Sequence, residues 1–553
     1  MKKTSPSFAR RSTMIGGFTT AATRRARRIV GAGALIALVA APAWSVGATA
    51  PAGAASSFPT SHTLNLSFLT DPGQPPDPDV YYAGEGLLLT RNMYQGLLQY
   101  KADTPKRVLE PELATSWSVS KSGLVYTFQL RHGVTFQDGT PFTSAAIAPD
   151  FARRTAANGG PAYMVSDVAS VTTPGPYTAV VTLKSPNTAF LDYLASPYGP
   201  VMESPTALAA NAGTDSDQTY LQTHSIGTGP YYLTSAKVGV MYQMKAFPKY
   251  WGPKPYYTTI NMPVIDNLST EEIEFNGGQI AAILHDMTSS VIAQYTHNPK
   301  VSLYDLPSLQ SETAYVNENK GFLTTPANRL ALLEAINLKS LVPGIFQGRG
   351  SVPPQAGPAG IIPSQYGKQG IPYDPSKLKK LIATLPATEK TFTVGYDTGT
   401  PDDQLLAEDI GAELQADGLP TKVVGYQTSE IFGWVGSAGA ATSNATPNML
   451  VMYFWPDTYN AYTWTHINFD PSGGANYFSC NVANEANLNS AAVATGSYPA
   501  YNKAIETAVK SGCWLNLVDK EDAMVSQPWL KGIPQGHIVT DPETLNLAAL
   551  HPG

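Results

Sequence analysis

Short runs of alternating apolar and polar residues are interspersed along this chain with longer runs that repeat at the helical period. Leu64-Asn-Leu-Ser-Phe68 alternates, so it reads as a strand with one buried face. Gly86 to Tyr100 places Leu87, Met93, Tyr94, Leu97 and Leu98 on one helical face and reads as a helix. Val125-Tyr-Thr-Phe-Gln-Leu130 and Tyr177 to Leu183 read as strands, each bounded by Gly or Pro. Pro326 to Leu338 follows the helical period. Tyr373-Asp-Pro375 opens a further helix over Ser376 to Ala383, with Asp374 as its cap and Pro375 in its first turn. Phe392 to Tyr396, Gln404 to Asp417 and Thr421 to Tyr426 form a strand–helix–strand unit whose helix stops at Gly418. Asn448 to Tyr453 adds a buried strand. Such units favour a mostly parallel sheet covered by helices, an α/β class of fold.

The first 60 residues follow a different pattern. Arg10, Arg11, Arg24, Arg25, Arg27 and Arg28 precede an apolar run from Ile29 to about Ala43, and small residues follow in Ala48-Thr-Ala50 and Ala52-Gly-Ala54. Basic, apolar and then small residues in that order predict a secretory signal peptide over 1–55, with an uncleaved N-terminal anchor as the alternative. The apolar run is roughly 15 residues, against the ~20 a membrane-spanning helix needs. No cysteine lies near the expected cleavage region, so the usual lipoprotein anchor is not expected, and the protein is assigned to the periplasm or the outer face of the cell. Eight of the 36 basic residues and none of the 42 acidic ones lie in this leader, leaving a net charge of about −14 on the remainder. Such a balance argues against nucleic acid or anionic lipid as partners. The cysteines are Cys480 and Cys513, and in an oxidising compartment they are expected either to bond to each other or to stay as buried thiols. Some 500 residues beyond the leader exceed what one core organises, so two or three domains are expected.

Several motifs now align with a known family. Tyr94-Gln-Gly-Leu-Leu-Gln-Tyr100 and Pro111-Glu-Leu-Ala-Thr-Ser-Trp117 are followed by Gly123-Leu-Val-Tyr-Thr-Phe-Gln-Leu-Arg131 and Val134-Thr-Phe-Gln-Asp-Gly-Thr-Pro-Phe142. Gly227-Thr-Gly-Pro-Tyr231, Tyr250-Trp-Gly252, Tyr373-Asp-Pro375 and Phe454-Trp-Pro-Asp457 come next, in order and at matching spacing. Nearly the whole chain beyond the leader thus resembles extracellular solute-binding proteins of the peptide and nickel ABC importers. The resemblance implies a periplasmic-binding-protein-like α/β fold with two lobes of mixed sheets, a hinge and an extra inserted domain. Its boundaries would be 56–100, 226–312 and 526–553 for the first lobe, 101–225 for the inserted domain and 313–525 for the second lobe. Ligand would be held between the lobes by hinge closure. Most of the motifs have structural uses independent of ligand: Asp138-Gly-Thr-Pro141 is turn chemistry, Gly227-Thr-Gly-Pro230 a tight bend, and Trp117 and Phe136 are core residues.

Within the resemblance, Phe454 and Asp457 occupy the places of an aromatic residue and of an Asp that meets a peptide's α-amino group, with Trp455 between them. A carboxylate facing a buried ammonium makes a charge-assisted pair. The alternative is that Asp457 caps the next turn. Where the family pattern continues with a second Asp-Pro, this chain has Asn460-Ala461, which weakens the case for a peptide specifically. Tyr81, Tyr82 and Glu85 lie where peptide binders line the cleft, and Trp434 near where some carry a pocket tryptophan. No H-E-x-x-H, G-x-S-x-G, C-x-x-C or Walker A pattern occurs, so no enzyme, catalytic residue, metal or cofactor is expected. Histidines are scattered, and Glu271-Glu272 and Asp402-Asp403 read as solvated helix starts. The expected function is capture of short peptides by a monomeric substrate-binding subunit that delivers them to an ABC permease and its ATPase subunits. A non-peptide solute (an oligosaccharide or a nickel chelate) or a sensing role without transport are the alternatives.

Overall fold

The computed structural model describes residues 62–553 except Pro75, Glu85, Asp286, Ala438, Ser472 and Asp541; the expected signal peptide and candidate Glu85 lie outside the described residues. Thr63–Asn65 runs parallel to Thr259–Pro263, which pairs antiparallel with Met241–Ala246, itself antiparallel to Tyr231–Lys237. Leu64, Ile260, Met262, Tyr242 and Met244 point into one core beneath this sheet. A second four-stranded sheet is wholly antiparallel, in the order Ala114–Val119, Val125–Leu130, Thr178–Leu183, Val168–Gly175. Tyr126, Phe128 and Leu130 alternate inward, joined by Phe136, Phe142 and Phe151. Phe136 is core as expected, whereas Trp117 is half-buried at its margin.

The largest sheet has six strands, in the order Gly350–Ser351, Trp514–Lys520, Ser311–Val316, Met449–Phe454, Phe392–Asp397, Thr421–Tyr426. Ser311–Val316 and Met449–Phe454 are buried at every position, as central strands covered on both faces must be. The strand–helix–strand unit forms as read, with helix Pro401–Ala416 and Gly418 at φ +96°. Asp374 accepts from Ser376 N at 3.1 Å at the start of helix Pro375–Thr384. The sheet is not mostly parallel, however: Phe392–Asp397 pairs parallel with both neighbours, and every other pair is antiparallel. The strand–helix–strand unit supplies the parallel pair with Thr421–Tyr426, and the return to Met449–Phe454 supplies the other; Ser311–Val316 comes from a distant segment and runs opposite to the strands on both sides of it.

Three further expectations are corrected. The helix expected over 86–100 ends at Met93, and Leu98–Tyr100 becomes a strand paired with Leu109–Pro111. Gly96 marks the change: a Cβ there would lie 2.6 Å from the Leu194 carbonyl oxygen, so the chain passes too close for a side chain. Helix Pro326–Leu333 likewise stops early, before a separate helix Leu338–Phe346. Of the adjacent carboxylates, Glu271, Asp402 and Asp403 are buried rather than solvated, and Glu272 is half-buried. Glu271 is buried and accepts from Ser67 Oγ at 2.5 Å, Asp402 meets Lys520 Nζ at 2.9 Å, and Asp403 accepts from Tyr453 N at 3.3 Å.

A three-stranded sheet, Ala282–Ile283, Asp522–Ser526, Ser302–Leu306, links these layers. From it the chain enters the six-stranded sheet through 307–310, and it returns through Glu521 alone. The two passages are adjacent, with Lys520 N donating to Gln310 O at 3.0 Å. Beyond them the C-terminal segment inserts Leu545, Leu547 and Leu550 into the first core. Cys480 and Cys513 are bonded, their Cα atoms 6.5 Å apart, tying the loop after helix Ala461–Phe469 to the start of strand Trp514–Lys520. Among the described residues no helix is long and apolar enough to cross a membrane.

Candidate functional site

The site begins at the end of a buried strand. Met449–Phe454 terminates opposite Ser311, whose Oγ donates to Phe454 O at 3.3 Å, and the chain leaves the sheet as Trp455-Pro456-Asp457. Asp457 is 4% exposed. Its Oδ2 accepts two hydroxyls, from Tyr82 and from Tyr163, each at 2.7 Å, while its backbone oxygen accepts Ser196 Oγ at 2.6 Å. Four separate stretches of chain therefore meet at one residue. Burial pushes the Asp457 carboxyl up to about 6, with the two hydroxyl donors and nearby His466 working against that rise. Burial, and next the Asp457 charge, push Tyr82 and Tyr163 well above the ordinary phenol range, so both stay neutral donors.

The capping role is filled elsewhere. Asn460 Oδ1 accepts from Tyr462 N at 3.0 Å at the start of helix Ala461–Phe469, and also accepts Tyr501 OH at 3.1 Å. The departure from the second Asp-Pro thus puts a good N-cap side chain where the helix needs one. Asp457 is left to face the cavity.

That cavity has two neighbouring parts that share wall residues. A small part of about 60 Å³ is walled by Tyr82, Gly84, Tyr198, Phe432, Phe454, Trp455, Asp457 and Tyr477. A larger part of about 590 Å³ shares Tyr82, Phe432, Ile467 and Gly474 with it and is completed by Thr155, Asn158, Tyr163 and His466. The small part has an aromatic wall in which Trp455 stacks on Tyr453 with centroids 5.0 Å apart, and Tyr82 meets Tyr198 edge-on at 5.1 Å. Glycine makes this closeness possible. A Cβ on Gly84 would lie 2.5 Å from the Trp455 indole, and one on Gly160 would lie 2.1 Å from the Tyr82 ring.

Ion pairs deep in the protein hold the loop that carries Tyr82. Arg153 meets Asp77 at 2.6 Å and Asp79 at 2.9 Å, with Glu203 at 3.4 Å. Arg154, fully buried, meets Asp79 at 2.7 Å and donates to the carbonyls of Pro78, Tyr198 and Gly199. One guanidinium therefore fastens the loop of Tyr82 to the loop of Tyr198, and its planar fork suits several oxygens at once. Burial raises the Glu203 and Asp150 carboxyls well above their usual range, with the Asp79 charge the next cause in each.

Of the residues singled out from sequence, Asp457, Phe454, Trp455 and Tyr82 come together. Tyr81 turns inward, where its hydroxyl accepts from Gly86 N at the first helix. Trp434 packs between Tyr426 and Phe478, while Phe432 and Val435 on either side of it reach the larger cavity. Tyr163, Tyr198, Phe432, Tyr477 and His466 escaped the site assignment from sequence. Only the Gly159-Gly160-Pro161 run ahead of Tyr163 marks one of them, as a place where the backbone must approach another segment closely.

Comparison with known proteins places the fold among the periplasmic binding proteins. The DppA protein of Helicobacter pylori, described as an ABC transporter-associated periplasmic binding protein in complex with peptide STSA, superposes with a TM-score of 0.77 at 21% identity, covering 89% of this chain and 98% of that one. Within that class, the family model for bacterial extracellular solute-binding proteins, family 5 Middle, matches residues 108–476. The chain belongs to this family, the substrate-binding subunits of ABC importers, which is a family of solute-binding proteins rather than of enzymes. The probable D,D-dipeptide-binding periplasmic protein DdpA of Escherichia coli (strain K12) is 26% identical over 415 residues, 72% of this chain and 80% of the relative. The glutathione-binding protein GsiB of Escherichia coli O1:K1 / APEC is 31% identical over 310 residues, which is 55% of this chain and 58% of GsiB.

Proposed function

We propose that this protein captures short peptides with a free amino terminus and presents them to a membrane permease. The observation that carries this reading is Asp457: a carboxylate buried at the junction of four chain stretches, oriented by two tyrosine hydroxyls and bordering an aromatic-walled cavity. An α-ammonium entering there gains a charge-assisted hydrogen bond to a carboxylate that is itself almost wholly buried. The names of the relatives, a D,D-dipeptide binder and a glutathione binder, agree with a peptide-like ligand. In this reading residues 1–55 direct export, and no catalytic step is involved. The lobes follow the boundaries expected from sequence, with closure bringing Tyr82 and Tyr163 against Asp457. The protein acts as a monomer with its permease and ATPase partners.

The test starts with native mass spectrometry of the purified protein, sequencing whatever is released. Peptides of about two to five residues are expected, and Asp457→Asn is expected to weaken their binding by about tenfold or more, the scale of one charge-assisted hydrogen bond. Full affinity in that variant would remove Asp457 from the site. The aromatic wall also suits stacking on a sugar ring, so a carbohydrate series whose binding ignores Asp457→Asn would replace the peptide reading.

A further inference from the structure

Away from the cavity, the body built on the six-stranded sheet meets the rest of the chain at one buried carboxylate. Asp192 is wholly buried and lies outside the two passages, in the segment that also carries Ser196. Arg107 holds it with two bonds, Nε to Oδ1 at 2.7 Å and Nη2 to Oδ2 at 3.0 Å, and Tyr100 donates its hydroxyl to Oδ1 at 2.9 Å. The opposite body supplies Tyr459 and Asn460, two and three places after Asp457. Tyr459 N donates to the Tyr100 hydroxyl at 3.2 Å, and Asn460 Nδ2 donates to Asp192 Oδ2 at 3.3 Å. The Tyr100 and Tyr459 rings meet edge-on with centroids 5.1 Å apart.

None of Tyr100, Arg107, Asp192, Tyr459 and Asn460 lines either part of the cavity. Their bonds join protein groups alone, so they form whenever the two bodies come together, whatever the cavity holds. The identity of residue 460 matters here. Asn460 Oδ1 is engaged by Tyr462 N and by Tyr501 OH, which orients the amide and leaves Nδ2 to meet Asp192. Asp caps a helix as well as Asn does, so capping does not choose between them. Asp192 does choose: a second carboxylate at 460 would meet it with like charge and no donor between them.

We propose that Asp192 is a closing latch, a positioning residue that receives the turn 457–460 as the bodies swing together, and that Asn460 is the side chain that lets it engage. The latch adds the same contribution to closure for every solute. It biases the unliganded protein towards the closed form and leaves less of the shift for the solute to supply. Nothing in it depends on whether the solute is a peptide.

The experiment uses the full-length mature protein, freed of bound material by unfolding and refolding, with spin labels at exposed Val119 and Val424. These lie on edge strands of the antiparallel four-stranded sheet and of the six-stranded sheet. Both native cysteines are in the disulfide and take no label. Without solute, the unaltered protein is expected to show one dominant short distance. In Asn460→Asp the ratio of short to long distances is expected to fall about tenfold or more, the scale of a lost hydrogen bond to a charged group, with helix content unchanged by circular dichroism. Asn460→Ser keeps a cap, loses the reach to Asp192 and adds no charge, so its ratio is expected to lie between the two. Combining Asn460→Asp with Asp192→Asn exchanges acid and amide: Oδ1 at 192 still receives Tyr100, Nδ2 meets the new carboxylate, and the short distance is expected to return. A long distance that dominates in the unaltered protein overturns the proposal, as does an unchanged ratio in Asn460→Asp. So does an exchange variant that folds and stays open. If the exchange variant does not fold, the single variants decide, and Asn460→Ser opened as far as Asn460→Asp overturns the proposal. No solute affinity is read, so failure of the amine anchor at Asp457 would leave these outcomes as they stand.

Discussion

Asp457 is a carboxylate that the fold makes expensive to ionise and then supplies with two neutral donors on a single oxygen. The consequence is a pH-dependent anchor. An ammonium needs the ionised form, so affinity for a free-amine peptide is expected to be highest near pH 7, to fall by about tenfold per unit as pH drops below about 6, and to fall again above about pH 8 as the peptide's own amine loses its proton. For the unliganded fold the sign is opposite: a carboxyl whose folded value lies above its unfolded one contributes stability at low pH that is lost as pH rises from about 4 through about 6. Titration calorimetry between pH 5 and 8 checks the first effect, and Asp457→Asn should flatten the curve. A second residue-scale prediction concerns Gly160. An added methyl meets the Tyr82 ring head-on, so Gly160→Ala is expected to cost about 1–3 kcal/mol of stability and to displace the hydroxyl from Asp457. Urea unfolding, together with a peptide affinity measurement, reads both. Binding as tight as in the unaltered protein would mean that the Tyr82 contact is dispensable.

Between elements, the ion pairs of Arg153 and Arg154 do what no single strand or helix does: they fix two loops relative to each other. Arg154→Met would leave Asp79 without that partner, and Tyr198 O and Gly199 O without their donor, in the interior. A loss of about 3–5 kcal/mol is expected in urea unfolding, against well under 1 kcal/mol for an exposed pair such as Lys510 with Glu506. The same level separates what was legible in the sequence from what was not. Strand Val125–Leu130 and the unit from Phe392 to Tyr426 declare themselves because a local period matches a burial pattern completed by near neighbours. The stretch from Tyr94 to Tyr100 does not: its apolar spacing suits a helix, but Gly96 must pass close beneath Leu194, and that distant contact decides the backbone. Asp402 and Asp403 were legible as a helix start and not as buried groups, because Lys520, the cation beside Asp402, lies more than a hundred residues away. Asp457 was singled out from its motif, whereas Tyr163, which meets it, was not, since that contact comes from the packing of two glycines against another segment.

On the scale of the whole molecule, the motif order was enough to indicate family and architecture, because both follow from many weak matches in series. The contacts of the proposed site are few and are assembled across long sequence separations: Tyr82 reaches Asp457 over 375 positions. One feature of the architecture has a mechanical consequence. The chain passes between the three-stranded and six-stranded sheets twice, side by side, once through 307–310 and once through Glu521, and Lys520 N to Gln310 O ties the two passages together. A door hung on two pins can swing but can neither twist nor slide. The body built on the six-stranded sheet should accordingly have one soft coordinate relative to the rest, so that any two label pairs bridging the passages report the same motion. Spin labels at exposed Val424 and Tyr373 paired with Val238 should give distances that rise and fall together on ligand addition. A glycine inserted after Glu521 should loosen one pin and uncouple them, and distances that already vary independently in the unaltered protein would mean that the passages do not define an axis.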